Sequence, residues 1–364
     1  MFQQKIAIPT YFRRGPNGDP DWGKAVTAKP ELSVAVINPD SGPGYTSSFQ
    51  PGGDEHVLCQ RRIDQMQDEA GAAVVGYLTT NYRDEEGKSV QSDYRFTVDL
   101  DTLLVTLRLD TGDEKETVWP TGFGPIRVDS KSTLPAGLEA RKNYWWIAES
   151  LTTGRFAGTQ SDAHMGNAVE IRSAGDPGPQ NANHFMGLSR RAEHIDNVKF
   201  EIDEFYRKWP GIDGIFFDEM KQGKDEANKT YYRSIFNYVK EKAGRDALVI
   251  QNPGTTFDAE LADCANIFLS FESDNVPAYR EYEPGWQTGH PTAEFWHTIH
   301  SCSEQNMPEV LALSRKYMAD YIYVTGVPEE DGRPAPNIPV WERIATYFDR
   351  ELVIIRAANN PPDQ

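Results

Sequence analysis

The sequence predicts an α/β fold, a (β/α)8 TIM barrel with a small all-β domain inserted after the third strand. Three observations predict it: eight short apolar runs typical of buried parallel strands, helical periodicity between most of them, and one long connection that alternates like β structure. Eight parallel strands, each followed by a helix, close a barrel of this kind.

The candidate strands are short runs rich in β-branched and aromatic residues. In chain order they are KIAIPTYF (5–12), LSVAVINP (32–39), AAVVGYLTT (72–80), IDGIFFDE (212–219), DALVIQNP (246–253), ANIFLSFE (265–272), AEFWHTIH (293–300) and DYIYVTG (320–326).

Helical signals lie between these runs. Asp54 can cap a helix that ends near Gly71, and Gly244 can end the helix before the fifth strand. Apolar residues recur at helical spacing before the fourth and fifth strands, at Ile195, Val198, Ile202 and Phe205 and again at Tyr232, Ile235, Phe236 and Val239. Strands that alternate with helices predict a parallel sheet.

One connection, from Arg83 to about Arg191, is far longer than the others. A structureless loop of that length is improbable inside a compact domain, and the segment instead shows β-like alternation, as in DYRFTVDLDTLLVTLRLDTG. We therefore predict a catalytic barrel formed by residues 1–83 and 192–364, and an inserted β-rich domain at residues 84–191.

The composition excludes several classes of partner. The net charge is −18, from 37 Lys and Arg against 55 Asp and Glu, which argues against a nucleic-acid partner because phosphate binding needs a basic surface. A neutral or cationic polymer is easier to accommodate. No stretch reaches the roughly 20 apolar residues of a membrane span. The first residues also lack the features of a secretory signal, so either the protein stays inside the cell or a signal was removed.

The three cysteines, Cys59, Cys264 and Cys302, lie far apart and lack metal-ligand spacing. They indicate neither a zinc site nor a disulfide framework, although one bridge remains open. The pair His297 and His300 does not indicate a metal either, because residues three apart on a strand face opposite ways. We expect no metal and no cofactor.

Candidate functional residues follow from the barrel, because the carboxyl ends of its strands meet at one face. Those ends carry three carboxylates among amides, aromatic rings and a histidine. They are Asp218, Glu219 and Glu272 as candidate catalytic residues, and Tyr11, Asn38, Tyr77, Asn81, Asn252, His297 and Tyr323 as candidate substrate-binding residues. Carboxylates act as acid, base or nucleophile at an acetal, while amides and aromatic faces bind sugars, so the set predicts a sugar substrate.

Side-chain parity indicates which acids face inward, because alternate residues of a strand share a face. Phe216 shares a face with Asp218, and Phe268 and Ser270 share one with Glu272. If both sets point inward, the two acids meet across the barrel mouth. Glu219 then faces the other way, unless the strand has already bent into its loop.

Several motifs in order resemble the spherulin-4-like family of (β/α) barrels: IAIPTYF, AVINPDSGPG, VVGYLTTNY, VKFEIDEFYRKWPGIDGIFFDEM, LVIQNPGT, ADCANIFLSFE and FWHTIH. The resemblance covers the barrel strands from about residue 5 to residue 350 and omits the insertion. It implies a glycoside hydrolase fold and endo-acting cleavage of α-1,4-linked galactosamine or N-acetylgalactosamine polymers of microbial biofilms. It also implies that the family's acidic pair falls on Asp218 and Glu219, and its later glutamate on Glu272.

The leading hypothesis is an endo-acting glycosidase in which Asp218 is the nucleophile, Glu272 the general acid/base and Glu219 a residue that positions Asp218. Two alternatives for the chemistry stay open: Glu219 as a catalytic acid, and a substrate N-acetyl group as the nucleophile. Retention requires about 5–5.5 Å between the two acting carboxyl groups, and inversion roughly 6.5–9.5 Å.

A hypothesis from another class is a non-catalytic glycan-binding component of a cell surface or a phage. A polysaccharide deacetylase lacks a plausible His and Asp ligand set. From the substrate class we expect an extracellular or cell-surface protein, with a phage-borne or cytoplasmic protein as the alternative because this chain carries no signal. The oligomeric state stays open.

Overall fold

The computed structural model describes residues 2–12, 20–80, 94–108, 116–117, 119–178, 183–223, 225–327, 329–330, 333–334 and 339–361. Among the predicted site residues, Asn81 lies outside the described residues.

The strands, in chain order, are β1 (Lys5–Pro9), β2 (Leu32–Ile37), β3 (Ala73–Thr79), β4 (Tyr94–Asp99), β5 (Leu104–Arg108), β6 (Ile126–Ser130), β7 (Asn143–Ala148), β8 (Thr153–Ala157), β9 (His184–Leu188), β10 (Gly214–Asp218), β11 (Leu248–Gln251), β12 (Ile267–Ser273), β13 (Glu294–Ile299), β14 (Tyr321–Val324), β15 (Glu329–Glu330) and β16 (Arg333–Pro334). The helices are α1 (Pro20–Thr27), α2 (Asp54–Asp64), α3 (Gln160–Met165), α4 (Ile195–Lys208), α5 (Glu226–Ala243), α6 (Val276–Arg280), α7 (Met307–Lys316) and α8 (Phe348–Asn359).

Eight strands close a parallel barrel in the order β1-β14-β13-β12-β11-β10-β3-β2. Each of these strands coincides with one of the eight runs selected from the sequence, with β12 extending one residue beyond its run, so the predicted eight-stranded parallel barrel is confirmed. The predicted helix signals also hold. Residue Asp54 begins α2, a π-helical turn at Gln65–Ala70 follows it, and Gly71 ends this stretch in the left-handed conformation with φ 73°.

The segment between β3 and α4 contains a second closed sheet with the strand order β4-β5-β8-β7-β6-β9, in which the strand pairs are antiparallel. It also contains the short helix α3, which the alternating pattern did not predict. Its core is aromatic, with Trp146, Phe156 and Tyr144 almost fully buried.

The chain divides into two compact units by its internal contacts. The first unit comprises residues 1–43, 57–79 and 202–364 and holds the parallel barrel; the second comprises residues 44–56 and 80–201 and holds the antiparallel sheet. The second unit therefore also takes in residues 44–56 and the first turns of α4, beyond the segment bounded at 84–191 from the sequence.

Two glycines allow close packing contacts around the barrel strands. A Cβ atom on Gly214 would collide with the backbone of Leu248, so β10 and β11 can approach as they do only with glycine there. A Cβ atom on Gly76 would lie 2.6 Å from the ring of Phe205, so α4 packs directly against β3. These contacts fix the position of β10, the strand that ends in Asp218.

The barrel interior is filled by alternate side chains of its strands, among them Val36, Val75, Phe216, Ile250 and Trp296. Tyr11 and Tyr77 pack against this cluster at its edge. The three cysteines are buried and none is joined to another, so the disulfide that the sequence left open does not form. Within the described residues, no helix combines the length and apolar character needed to cross a membrane.

Candidate active site

Asp218 and Glu272 are joined by one amide nitrogen at the carboxyl end of the parallel barrel. The Nδ2 atom of Asn252 donates to Oδ1 of Asp218 and to Oε2 of Glu272, each over 2.7 Å. The two carboxylate oxygens are therefore separated by at most twice 2.7 Å, about 5.4 Å. Parallel pairing places the ends of β10, β11 and β12 side by side, which brings these three side chains together.

The carboxylate of Asp218 is held by at least three donors. Besides the amide of Asn252, the hydroxyl of Tyr77 donates to Oδ2 over 2.8 Å and the backbone N–H of Glu219 donates to Oδ1 over 2.9 Å. Hydrogen bonds to a charged group are the stronger ones, so these donors stabilise negative charge on Asp218 and fix its orientation.

Glu219 turns back towards the barrel mouth. Strand β10 ends at Asp218, and Glu219 adopts a left-handed backbone with φ 58°, which is uncommon for a residue other than glycine. Its Oε2 accepts a hydrogen bond from the Thr79 hydroxyl over 3.1 Å. The strand has thus bent before Glu219. The side-chain alternation predicted that Glu219 would face away from the site unless the strand bent at this point.

The pKa of Glu272 is raised to about 7. Burial is the main cause, since it disfavours the charged form, and the negative charge of Asp218 raises the pKa further. The hydrogen bond from Asn252 acts in the opposite direction and lowers it. A buried carboxyl whose pKa is raised beside a second carboxylate is a feature of acid/base sites.

Glu272 lies in the site because of a β-bulge, which regular side-chain alternation along β12 did not predict. Its register against β13 shifts between Leu269 and Phe271, because Ser270 is an extra residue in β12. Before this bulge Leu269 faces the barrel interior, whereas Phe268 packs against Phe257 and Phe295. The prediction that Phe268, Ser270 and Glu272 share an inward face is therefore wrong. The bulge reverses the alternation, and it is this reversal that brings Glu272 to Asn252.

Gly254 forms backbone hydrogen bonds with residues on both sides of the bulge. Its N–H donates to the Leu269 carbonyl over 3.1 Å, and its own carbonyl accepts from the Glu272 N–H over 3.0 Å. The residue has φ 66°, a left-handed conformation that favours glycine. Sequence reasoning missed this role, although a glycine two residues after Asn252 was a visible signal.

Tyr11 also lies close to the acids. Its ring meets that of Tyr77 edge-on with the centroids 5.5 Å apart. Burial raises its pKa, and the neighbouring Tyr77, Asp218 and Glu272 raise it further. Its hydroxyl therefore stays protonated beside the two carboxyls.

Asn38 follows the end of β2 on the face that carries Val34 and Val36 into the interior. Its Oδ1 atom is buried and has no hydrogen-bond partner among the described residues. A buried acceptor of this kind normally bonds to an ordered water or a ligand.

Two predicted site residues are not brought to the carboxyls. His297 is 1% exposed and lies among Tyr279, Tyr282 and Phe271, with its Nδ1 atom 2.8 Å from the Tyr279 hydroxyl. Burial lowers its pKa to about 3, so it is neutral. The strand turns the neighbouring Trp296 inward and His297 outward, so the structure does not bring His297 together with the carboxyls.

Tyr323 is the second residue that lies apart. It is fully buried, and the charged groups that raise its pKa, after burial itself, are Glu351 and Asp21 rather than the three acids. We therefore do not include it in the candidate site. Thr79, which the sequence did not single out, enters the site through its bond to Glu219.

Comparison with known proteins agrees with the motifs. Residues 186–355 match the model of a family described as Spherulin4, spherulation-specific family 4. These residues form a spherulin-4-like region. The family resemblance drawn from the sequence is thereby confirmed.

The spherulin-4-like region contains β9 to β14 and with them Asp218, Glu219, Asn252 and Glu272. Tyr11, Asn38 and Tyr77 lie before it. Over 185 residues the chain is 28% identical to Spherulin-4 of Physarum polycephalum, an alignment that covers 48% of this chain and 52% of that protein. The chain thus spans about half the length of this curated relative.

A solved structure shares the fold of this chain. It is described as Aspergillus clavatus Sph3 in complex with GalNAc, and the alignment covers 97% of this chain and 98% of that one with a TM-score of 0.54 and 15% sequence identity. At this identity the likeness establishes the barrel fold.

Proposed function

We propose that the protein is a glycoside hydrolase in which Asp218 and Glu272 act as a pair on an amino-sugar polysaccharide. The observation that carries the proposal is the bridge through Asn252, which holds an oxygen of Asp218 and an oxygen of Glu272, the acid with the raised pKa, at most about 5.4 Å apart. Paired carboxyls at this separation are the machinery of glycoside cleavage.

Glu272 is the proposed general acid/base. With a pKa of about 7 it carries a proton over much of the neutral range and can donate it to the glycosidic oxygen as the C–O bond breaks. After the leaving chain departs, the same carboxylate takes a proton from the incoming water. The group therefore returns to its starting state after each cycle.

Asp218 is the proposed nucleophile. Its three donors keep the carboxylate charged and oriented, and one of its oxygens forms a bond to the anomeric carbon as the leaving group separates. Water then breaks that bond and releases Asp218 as a carboxylate. We propose double displacement with retention, which the close approach of the two bridged oxygens, at most about 5.4 Å apart, supports.

Glu219 is the proposed positioning residue of the pair. Its backbone N–H donates to Asp218, and its side chain is tied to Thr79. An alternative route uses an N-acetyl group of the substrate as the nucleophile, in which case Asp218 and Glu219 orient that group.

The proposed substrate is an α-1,4-linked polymer that contains galactosamine or N-acetylgalactosamine, cleaved within the chain. The likeness in fold to Sph3, whose structure is described with GalNAc bound, supports this sugar. The net charge of −18 favours a partly deacetylated, cationic form of the polymer. Such polymers lie outside cells, so we propose an extracellular or cell-surface site of action.

The proposal is tested by incubating the protein with purified exopolysaccharides and analysing the products by mass spectrometry. Released oligosaccharides indicate hydrolysis, released acetate indicates deacetylation, and binding without products indicates a glycan-binding protein. Asp218→Asn and Glu272→Gln are each expected to abolish release, with the exposed-site variants Asp246→Asn and Glu281→Gln as matched controls. Near wild-type release by either site variant would remove that residue from the proposed pair.

A further inference from the structure

A pocket within the second unit lies apart from the proposed catalytic residues in the sequence. Its volume is about 430 Å³, and it is lined by Arg127, Arg141, Lys142, Asn143, Arg191, Glu193 and His194. The volume falls in the range typical of small-ligand sites.

The pocket lining is mainly basic, although the protein as a whole is acidic. Four cationic side chains and one carboxylate line it, whereas the whole chain carries −18. The outer cations already have carboxylate neighbours: Arg141 lies 3.2 Å from Asp129, Lys142 lies 2.6 Å from Glu139, and Arg191 lies 2.5 Å from Glu193. Exposed ion pairs of this kind contribute little free energy, so an anionic ligand can compete with them.

Arg127 is the inner cation of the pocket. It is only 4% exposed, and its Nε atom donates to the Arg141 carbonyl over 3.0 Å. The carbonyl belongs to Arg141, whose backbone is left-handed with φ 63°. A strained residue that orients a buried guanidinium is typical of a built site rather than of a solvated surface.

The remaining lining residues supply further polar groups. Asn143 is the register partner of Arg127 on the adjacent strand, and its Nδ2 lies 3.3 Å from Nε2 of His194. The other ring nitrogen of His194 lies 2.9 Å from the Ser189 hydroxyl. Together with the carboxylate of Glu193, these groups offer both donors and acceptors, which suits hydroxyl groups as well as an anion.

We propose that this pocket binds an acidic sugar residue, with its carboxylate on the arginine cluster and its hydroxyls on Asn143, His194 and Glu193. Arginine pairs with carboxylates through two parallel N–H···O bonds, which fixes orientation as well as charge. The negative charge of Glu193 disfavours a small inorganic anion, which has no separate hydroxyl-bearing part to place beside it. The proposal is independent of glycoside cleavage and assigns the second unit a binding role of its own.

The test is isothermal titration of the full chain with galacturonate, galactose and inorganic phosphate. Galacturonate is expected to bind more tightly than both other probes, and added NaCl is expected to weaken its binding because exposed charges are screened by salt. Equal binding of galactose, tighter binding of phosphate, or no heat with galacturonate would each overturn the proposal.

Variants locate the binding in this pocket. The double variant Lys142→Gln with Arg191→Gln is expected to weaken galacturonate binding roughly tenfold or more, because two of its cations are lost. Arg172→Gln is the matched control, since Arg172 is an exposed arginine of the same unit that pairs with Glu170 and does not line the pocket. Unchanged affinity in the double variant, with melting temperatures that match the wild type, would place the binding elsewhere and overturn the assignment.

Discussion

The side chain of Asn252 donates to Glu272 over 2.7 Å and thereby opposes the two effects that raise the pKa of this acid. The same nitrogen donates to Asp218, so a single amide tunes one carboxyl and orients the other. Its own position is set by the backbone, because the Asn252 N–H donates to the Phe217 carbonyl and its carbonyl accepts from the Met220 N–H.

Asn252→Ala is expected to raise the pKa of Glu272 above 7, because the one effect that lowers it is lost while burial and the charge of Asp218 remain. The fall of kcat/KM at alkaline pH should therefore move to higher pH. The rate itself should fall about tenfold to a hundredfold, because a hydrogen bond to a charged group contributes about 1.5–3 kcal/mol. The measurement is the pH profile of kcat/KM.

The exposed residue Asn360 provides the control for this variant. Asn360→Ala should leave both the rate and the pH profile unchanged. An alkaline limb that stays in place in Asn252→Ala would show that Glu272 is not the group whose ionisation limits the rate.

The roles of the two acids can be separated by adding azide to truncated variants with a substrate that carries an activated leaving group. In Asp218→Ala, azide should take the place of the nucleophile and give a glycosyl azide of inverted anomeric configuration. In Glu272→Ala, azide should attack the glycosyl-enzyme in place of water and give the retained configuration. Proton NMR of the products distinguishes the two.

Exchanged outcomes would reverse the assignment of nucleophile and acid/base. A product of retained configuration from Asp218→Ala would favour the N-acetyl group of the substrate as the nucleophile. Without azide, the rate of Asp218→Ala on the same substrate should be lower than that of the wild type by a factor on the order of 10⁴.

The order of the barrel strands and the inward position of Asp218 could be predicted from the sequence because they depend on local patterns. Residues 215–217 are apolar and lead directly into Asp218, and no irregularity precedes Asp218 in β10. Parity along a regular strand therefore gives the right face.

Regular side-chain alternation was not enough to predict the facing of Glu272 and His297. Parity holds only for continuous pairing, and the extra residue Ser270 reverses it within a run that carries no turn residue. His297 lies in a strand that is buried on both faces, so its hydrophobic pattern does not show which face is inward. The bond between Asn252 and both acids depends on distances across three strands, which the sequence does not contain.

Glu351 provides a prediction about stability rather than activity. It is fully buried in α8, its Oε1 accepts from the Val324 N–H over 3.1 Å, and burial raises its pKa from 4.5 to about 8. A pKa that is raised on folding gives stability that is complete below pH 4.5 and is lost as the pH rises through 8.

Glu351→Gln removes this ionisable group. Relative to wild type, its free energy of unfolding should therefore rise between pH 4.5 and pH 8, as measured by urea denaturation at several pH values. Asp349→Asn, at an exposed position of the same helix, is the control. A difference between Glu351→Gln and wild type that does not change with pH would contradict the raised pKa.

Gly254 links the bulge in β12 to the position of Glu272, because its two backbone hydrogen bonds reach residues on both sides of Ser270. An added Cβ would meet nothing closer than 3.8 Å, so Gly254→Ala strains only the backbone at φ 66° and should lower the free energy of unfolding by about 1–2 kcal/mol. Relief of that strain would move Glu272 and lower kcat with little change in KM, which steady-state kinetics can measure. Gly211→Ala, at an open position with ordinary backbone, should change neither quantity. A destabilised Gly254→Ala protein with full kcat would mean that Glu272 keeps its place without this glycine.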